Sequence, residues 1–319
     1  MDRCPEEDSL NIHDAIQAKI ITKIMTQRIV PTLVVVLMIF TACGDKVLYL
    51  DNDYPAMIPK QYAVGIVNLD GRLQQNLTMS SDGREQLFTV TDSALWRYER
   101  MLRVRILQHE ILVDTPQFVL DFEYKNQWFI GEPMISPDDR NLYFVADYPP
   151  DIWNAKRSAD GDWDTPTIMK EVSTEKDDWY VTLSRNQNLY FTNGTVFKSG
   201  IEQGKYRSKI KLDSEFNTKD TRDPCISPNE DYLIFVATDS LNSNQSDLFI
   251  SFVKSDGSWT EAQNLGPDIN TAYLEIAPYI SPDERFLFFS RREKWQHAAF
   301  SNVYWVDLKV IEQFRPPLE

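Results

Sequence analysis

Short apolar runs recur along most of the chain, and a polar turn precedes each of them. Five segments align. Met79-Ser80-Ser81-Asp82-Gly83 leads to Leu87-Phe88, and Ile135-Ser136-Pro137-Asp138-Asp139 leads to Leu142-Tyr143-Phe144. Leu183-Ser184-Arg185-Asn186 leads to Leu189-Tyr190-Phe191, and Ile226-Ser227-Pro228-Asn229-Glu230 to Leu233-Ile234-Phe235. The last is Ile280-Ser281-Pro282-Asp283-Glu284, before Phe286-Leu287-Phe288-Phe289. The serines are 56, 48, 43 and 54 residues apart, the period of one four-stranded unit per repeat. Proline presets φ for the first turn position and Asp or Asn bonds its own nearby backbone, so the motif reads as a hairpin joining two strands. The apolar triplets are β-formers of strand length.

The remainder of each unit recurs as well. A third strand opens on Asp or Asn before an aromatic-rich run: Asp151-Ile152-Trp153, Asp247-Leu248-Phe249-Ile250 and Asn302-Val303-Tyr304-Trp305. A turn and a tryptophan follow at Asp160-Gly161-Asp162-Trp163 and Asp256-Gly257-Ser258-Trp259, where the indoles read as packing between units rather than as ligand platforms. The expected fold is all-β: a single β-propeller over residues 60–319, with five four-stranded blades, or six if the poorly patterned stretch 96–129 hides further strands. Gly65 lies as far before Ser80 as Gly266 does before Ser281. Residues 64–68 are therefore expected to be the outer strand of the last blade, closing the ring from the N-terminal side and removing free sheet edges.

These motifs resemble the TolB-like, WD-repeat-like Pro-Asp propeller family. The resemblance rests on Ser-Pro-Asp before Leu-Tyr-Phe, on Asp247-Leu248-Phe249-Ile250-Ser251, and on the run from Gly257 to Gly266, and it covers roughly residues 55–316. Repeats one and three depart from it, with Ser81 in place of proline and Arg185-Asn186 one residue short. The resemblance implies a fold and says little of function, because propellers host many activities.

The N-terminal region has a different character. Residues 29–40 are an apolar run of about 12 residues, too short for a membrane span of about 20 but the length of a signal-peptide core. Arg28 precedes it and Thr41-Ala42-Cys43-Gly44 follows, which resembles the lipobox of bacterial lipoproteins, with Phe40 where leucine is usual. That resemblance implies diacylation of Cys43 and, from Gly44, sorting to the outer membrane. Met25 begins a normal short n-region. The expected organisation is a non-native extension over 1–24, a signal peptide over 25–42, a tether over 43–59 and then the propeller. Cys225 would be the one thiol left beside the lipidated cysteine.

The net charge of −15 disfavours nucleic acid as a partner, since phosphate binding needs clustered Lys and Arg. No nucleophile elbow, phosphate loop or zinc spacing occurs, and Asp160-Gly161-Asp162 and Asp51-Asn52-Asp53 lack the rest of a calcium loop. No catalytic residue and no metal ligand is assigned. Chemistry is expected where the inner strands begin. The candidate ligand-binding rim is Glu132, Asp147, Asp178, Asp223, Asp239, Glu275, Arg291, Arg292 and Trp295. Such a rim can hold calcium, a cationic group or sugar hydroxyls, or can be a solvated acidic surface with no ligand. Two functions follow. One is a monomeric, lipid-anchored binding or assembly module of the bacterial cell envelope, holding a protein or a glycan. The alternative is a glycan-processing enzyme with paired carboxylates at the channel mouth.

Overall fold

The computed structural model describes residues 47–317, except 92–98, 108–111, 114–116, 119–128, 148, 218–219 and 239–244. Apart from the short hairpin of Ile201–Glu202 with Lys205–Tyr206, the described strands group into five antiparallel blades of a β-propeller, three of which are joined into one sheet by the parallel pairings of Ser246 with Leu274 and of Leu73 with Ser301. Blade I contains Leu73–Met79, Glu85–Thr91, Glu99–Leu107 and, on its outer edge, Leu112–Val113 and Gln117–Phe118. Blade II contains Ile130–Ile135, Asn141–Ala146, Asp151–Lys156 and Thr167–Ile168. Blade III contains Trp179–Leu183, Leu189–Thr192, Val196–Ser199 and Ile210–Lys211, and blade IV Arg222–Ile226, Tyr232–Thr238, Ser246–Phe252 and Gln263–Asn264. Blade V contains Leu274–Ile280, Phe286–Arg292 and Ser301–Asp307, and its outer strand is Lys60–Gln61 from the other end of the chain. The first strand of each blade packs against the first strand of the next, and blade V returns to blade I.

Each motif serine is buried and closes its hairpin twice. In blade V the Ser281 amide donates to the Phe286 carbonyl while the Phe286 amide donates to Ser281 Oγ, both at 3.0 Å. Ser281 Oγ in turn donates to Asp283 Oδ1 at 2.8 Å, and the same serine–aspartate bond recurs at Ser80–Asp82 and Ser136–Asp138. The residue three after each serine has positive φ: Gly83, Asp139, Gln187, Glu230 and Glu284. The hairpin of blade III, one residue shorter in sequence, keeps this turn but closes from Ser184 onto Asn188 rather than five residues on.

The outer strand of blade V lies earlier than the sequence pattern predicts. It is Lys60–Gln61, with Lys60 opposite Trp305 and Gln61 opposite Tyr304, and not 64–68. Ala63 and Gly65 both take positive φ, and the Ala63 carbonyl accepts from the amides of Ile66 and Val67, so the chain curls where a strand was expected. Asn68 nonetheless reaches blade V. Its Nδ2 donates to the Val303 carbonyl at 2.8 Å and its Oδ1 accepts from the Val303 amide at 2.7 Å. Asn217 holds Val196 and Asn270 holds Leu248 by the same pair of bonds. An asparagine shortly before an inner strand thus clasps the third strand of the blade behind it, in three of five blades.

Residues 47–50 form a strap across the hairpin end of blades I and V. The Leu48 amide donates to the Asp82 carbonyl at 2.8 Å, the Tyr49 hydroxyl donates to Asp283 Oδ1 at 2.5 Å, and the Leu50 amide donates to the Tyr62 hydroxyl at 2.9 Å. Val47 and Tyr49 are buried in the largest core cluster, beside Phe286, Phe288 and Trp305. Trp305 is completely buried, and Trp163 and Trp259, read from the sequence as packing, lie partly buried against core clusters.

A candidate ligand-binding site at the channel mouth

Every inner strand carries a bulge, and in every one a residue of the bulge has positive φ: Asn76, Glu132, Tyr180, Asp223 and Ala277. Each stands four residues before its motif serine. A bulge re-aims a side chain and frees its amide from the ladder. Here the freed amide is caught by the preceding blade. The Asn76 amide donates to Ser290 Oγ at 3.2 Å, that of Glu132 to Thr89 Oγ1 at 3.0 Å, that of Tyr180 to Glu132 Oε2 at 2.7 Å, and that of Ala277 to Asp223 Oδ2 at 3.0 Å. The bulges therefore staple neighbouring blades together and turn five equivalent positions toward one end of the channel.

A cavity of about 630 Å³ opens at that end. Asn76, Glu132, Asp223 and Ala277 line it from four of the five bulges, joined by Trp179, Arg222 and Trp295, with Lys176 and Asp177 at its exposed edge. The hairpins and the strap lie at the opposite ends of the inner strands.

Three of the rim residues expected from sequence, Glu132, Asp223 and Trp295, line this cavity. Burial raises the Asp223 carboxyl above the usual range, against the opposing pull of Arg222 and the Ala277 amide. The Arg222 guanidinium lies 4.9 Å from the Trp295 ring centroid and donates to Thr238 Oγ1 at 2.9 Å.

Other rim residues stand behind the site. Asp178 is buried and accepts from the Thr174 amide at 2.6 Å and the Thr174 hydroxyl at 2.7 Å. Glu275, also buried, holds Thr271 in the same way and pairs with Arg291 at 2.6 Å. Both carboxylates thus cap the connector that enters their own blade. Arg292 is buried and donates to the carbonyls of Lys294 and Trp295, so it positions the loop that carries Trp295. Asp147, at φ 76°, follows the second strand of blade II and is not among the lining residues. Asp239 and Cys43 lie outside the described residues. Among the described residues, no three His, Cys, Asp or Glu side chains gather as metal ligands.

Sequence reasoning missed Asn76, Trp179, Arg222 and Ala277. The constant offset from the motif serine would have found Asn76 and Ala277.

Burial is the largest influence on the Asp178 carboxyl, and with Asp151 nearby it is pushed up to about 6 despite the Thr174 bonds and Lys209. A folded-state value above the unfolded one of about 4 means that folding favours the protonated form. The contribution is fully present below pH 4 and is lost as pH rises through 6. Asp178→Asn, which keeps a carbonyl for the Thr174 amide, is expected to remove this dependence. Melting temperatures measured from pH 4 to pH 7 should show the variant gaining on the wild type as pH rises. A constant difference would count against this assignment.

No family model matches the chain, and no curated protein matches it. Solved structures do resemble it. TolB from Acinetobacter baumannii is 12% identical, with a TM-score of 0.45 over 73% of this chain and 54% of that one, so the match spans about half of that protein. A thermostable family-43 glycoside hydrolase is 12% identical, with a TM-score of 0.50 over 74% of this chain and 90% of that one. An alpha-L-arabinofuranosidase from Lactobacillus brevis is 11% identical, with a TM-score of 0.49 over 73% and 90%. At such identities the likeness concerns the fold alone, a β-propeller with TolB proteins among the structures it resembles.

Proposed function

We propose that the protein is a lipid-anchored binding module of the bacterial cell envelope, held at the outer membrane through Cys43, with the mouth cavity as its ligand site. The observation that supports this reading is that the strap of residues 47–50 and the cavity lie at opposite ends of the inner strands. Cys43 is four residues before Val47, which is buried against the hairpin end, so the chain between them spans at most about 14 Å. A lipid on Cys43 would hold the hairpin end to the bilayer and present the cavity to the aqueous side. Next to the strap, Tyr54, Met57 and Ile58 expose apolar side chains, with Ile58 75% accessible, a surface suited to the same bilayer.

The site favours holding a ligand over processing one. Glu132 and Asp223 already accept backbone amides from the next blade, which ties up an oxygen of each carboxylate in the architecture.

Cys225 is buried and its thiol is pushed up to about 12 by burial, so it will not compete in labelling. Asp177→Cys at the mouth and Asn229→Cys at a hairpin can therefore be probed in membranes with a bulky maleimide. The expected result is labelling at the mouth and protection at the hairpin, with Cys43→Ser releasing the protein from the membrane fraction. Equal labelling, or a Cys43→Ser protein that stays membrane-bound, would overturn the proposal.

A further inference from the structure

We infer that the ligand held in the mouth cavity is a neutral sugar, a mono- or disaccharide unit of a glycan. The inference rests on the binding-module reading and names the ligand class of that same site. The lining of the cavity carries a polar group with nothing to bond. Asn76 is 4% exposed, lines the cavity, and its carboxamide oxygen has no hydrogen-bond partner. A buried polar group left unpaired costs about 1–3 kcal/mol, so the site is built to be completed by something. Arg222 adds a second such group: its Nε is buried without a partner although Nη2 is used by Thr238. One free acceptor and one free donor thus belong to residues that line the same space.

Charge narrows the ligand further. An anion would meet the three carboxylates Glu132, Asp177 and Asp223, which outnumber the cations Lys176 and Arg222. A cation would meet carboxylates already engaged, with Glu132 and Asp223 accepting amides and Arg222 next to Asp223. What remains is a neutral ligand that both donates and accepts around its edge. The polar groups converge from blades I, II and IV on a compact space, and Trp179 and Trp295 supply apolar faces. A volume of about 630 Å³ is within the range of small-molecule sites. A pyranose or furanose ring matches this arrangement, with hydroxyls on its rim and C–H groups on its faces. An extended peptide strand instead needs a sheet edge along which its backbone can pair.

The test is a titration of the full chain followed by tryptophan fluorescence and calorimetry. The probes are glucose, galactose, N-acetylglucosamine, arabinose, xylose and their common disaccharides, alongside lysine amide, acetate and a neutral tetrapeptide amide. At least one sugar is expected to saturate with Kd about 1 mM or tighter. Asn76→Gly, which removes the carboxamide acceptor and tolerates the positive φ of 51°, should weaken that sugar tenfold or more while costing little in melting temperature, because the group removed is an unpaired one. If Asn76→Gly fails to fold, Trp179→Tyr supplies the second variant and should weaken the same sugar. Saturation by lysine amide, acetate or the tetrapeptide and by no sugar would overturn the inference, as would sugar binding indifferent to both variants. The membrane-labelling experiment reads the lipid anchor separately, so failure of the sugar titration and failure of the anchor are distinguishable.

Discussion

Gly83→Ala is expected to detach the N-terminal strap and to be among the most destabilising single substitutions in the protein. A Cβ built on Gly83 would sit 2.1 Å from the Leu48 carbonyl oxygen and 2.7 Å from its amide nitrogen. These are backbone atoms and cannot swing aside as a side chain would. The residue also has φ +74°, which costs a non-glycine residue about 1–2 kcal/mol. The clash can be relieved only by lifting the strap, which exposes Val47 and Tyr49 at roughly 1.5–3 kcal/mol each. Part of that is returned as chain entropy. A net loss of about 3–5 kcal/mol follows, a drop in melting temperature on the order of 10 °C for a chain of this size. Gly161→Ala is the control: φ is +90° there too, but nothing lies within 4 Å of the added carbon. Calorimetry with limited proteolysis separates the two. Gly83→Ala should melt far lower and be cut near residues 47–50, and equal behaviour would mean that the strap is not held as described.

The repeat was legible because hairpin chemistry is local. Ser, Pro and Asp close a turn through bonds within a few residues, and such bonds leave a fixed spacing in the sequence. Closure was legible in kind but not in register. Gly65 and Gly266 share an offset from their serines, yet Gly266 follows a paired strand while Gly65 lies in a curl begun by Ala63 at φ 44°. Nothing in the residue types of 62–68 distinguishes the two cases. The carboxylates divide for a related reason. Proximity to the mouth is written in the sequence, but whether a carboxylate faces the cavity or caps its own connector depends on a threonine four residues earlier, as Thr174 is for Asp178 and Thr271 for Glu275. The bulges were hidden because positive φ at Glu132, Tyr180 or Asp223 has no residue signature; only comparison between repeats at a common offset reveals it.

The ring should come apart at its seam when Asn68 is replaced by alanine. Strand pairing at Lys60 and Gln61, with the Tyr62 amide donating to the Val303 carbonyl at 2.9 Å and the Asp307 amide to the Ala56 carbonyl at 3.0 Å, joins the two ends of the chain, and Asn68 reinforces it. Its side chain, 3% exposed, donates to the carbonyls of Tyr62 and Val303 at 2.8 Å each and accepts from the Val303 amide at 2.7 Å. Alanine leaves the Val303 amide and the Tyr62 carbonyl without these partners, at about 1–3 kcal/mol for each buried group. Asn270→Ala removes the equivalent clasp on Leu248 and should cost a comparable amount, but inside continuous chain, where no end can leave. The two variants therefore differ in kind. Asn68→Ala frees the outer edge of Ser301–Asp307 and exposes a strand able to pair with other chains. Hydrogen exchange is the measurement: the amides of Tyr62 and Val303 should lose protection in Asn68→Ala and keep it in Asn270→Ala. Concentration-dependent association should accompany only the first. If Tyr62 and Val303 stay protected in Asn68→Ala, closure rests instead on the aromatic contacts of Trp305 with Tyr49, Tyr54 and Tyr62, and the asparagine clasp is secondary.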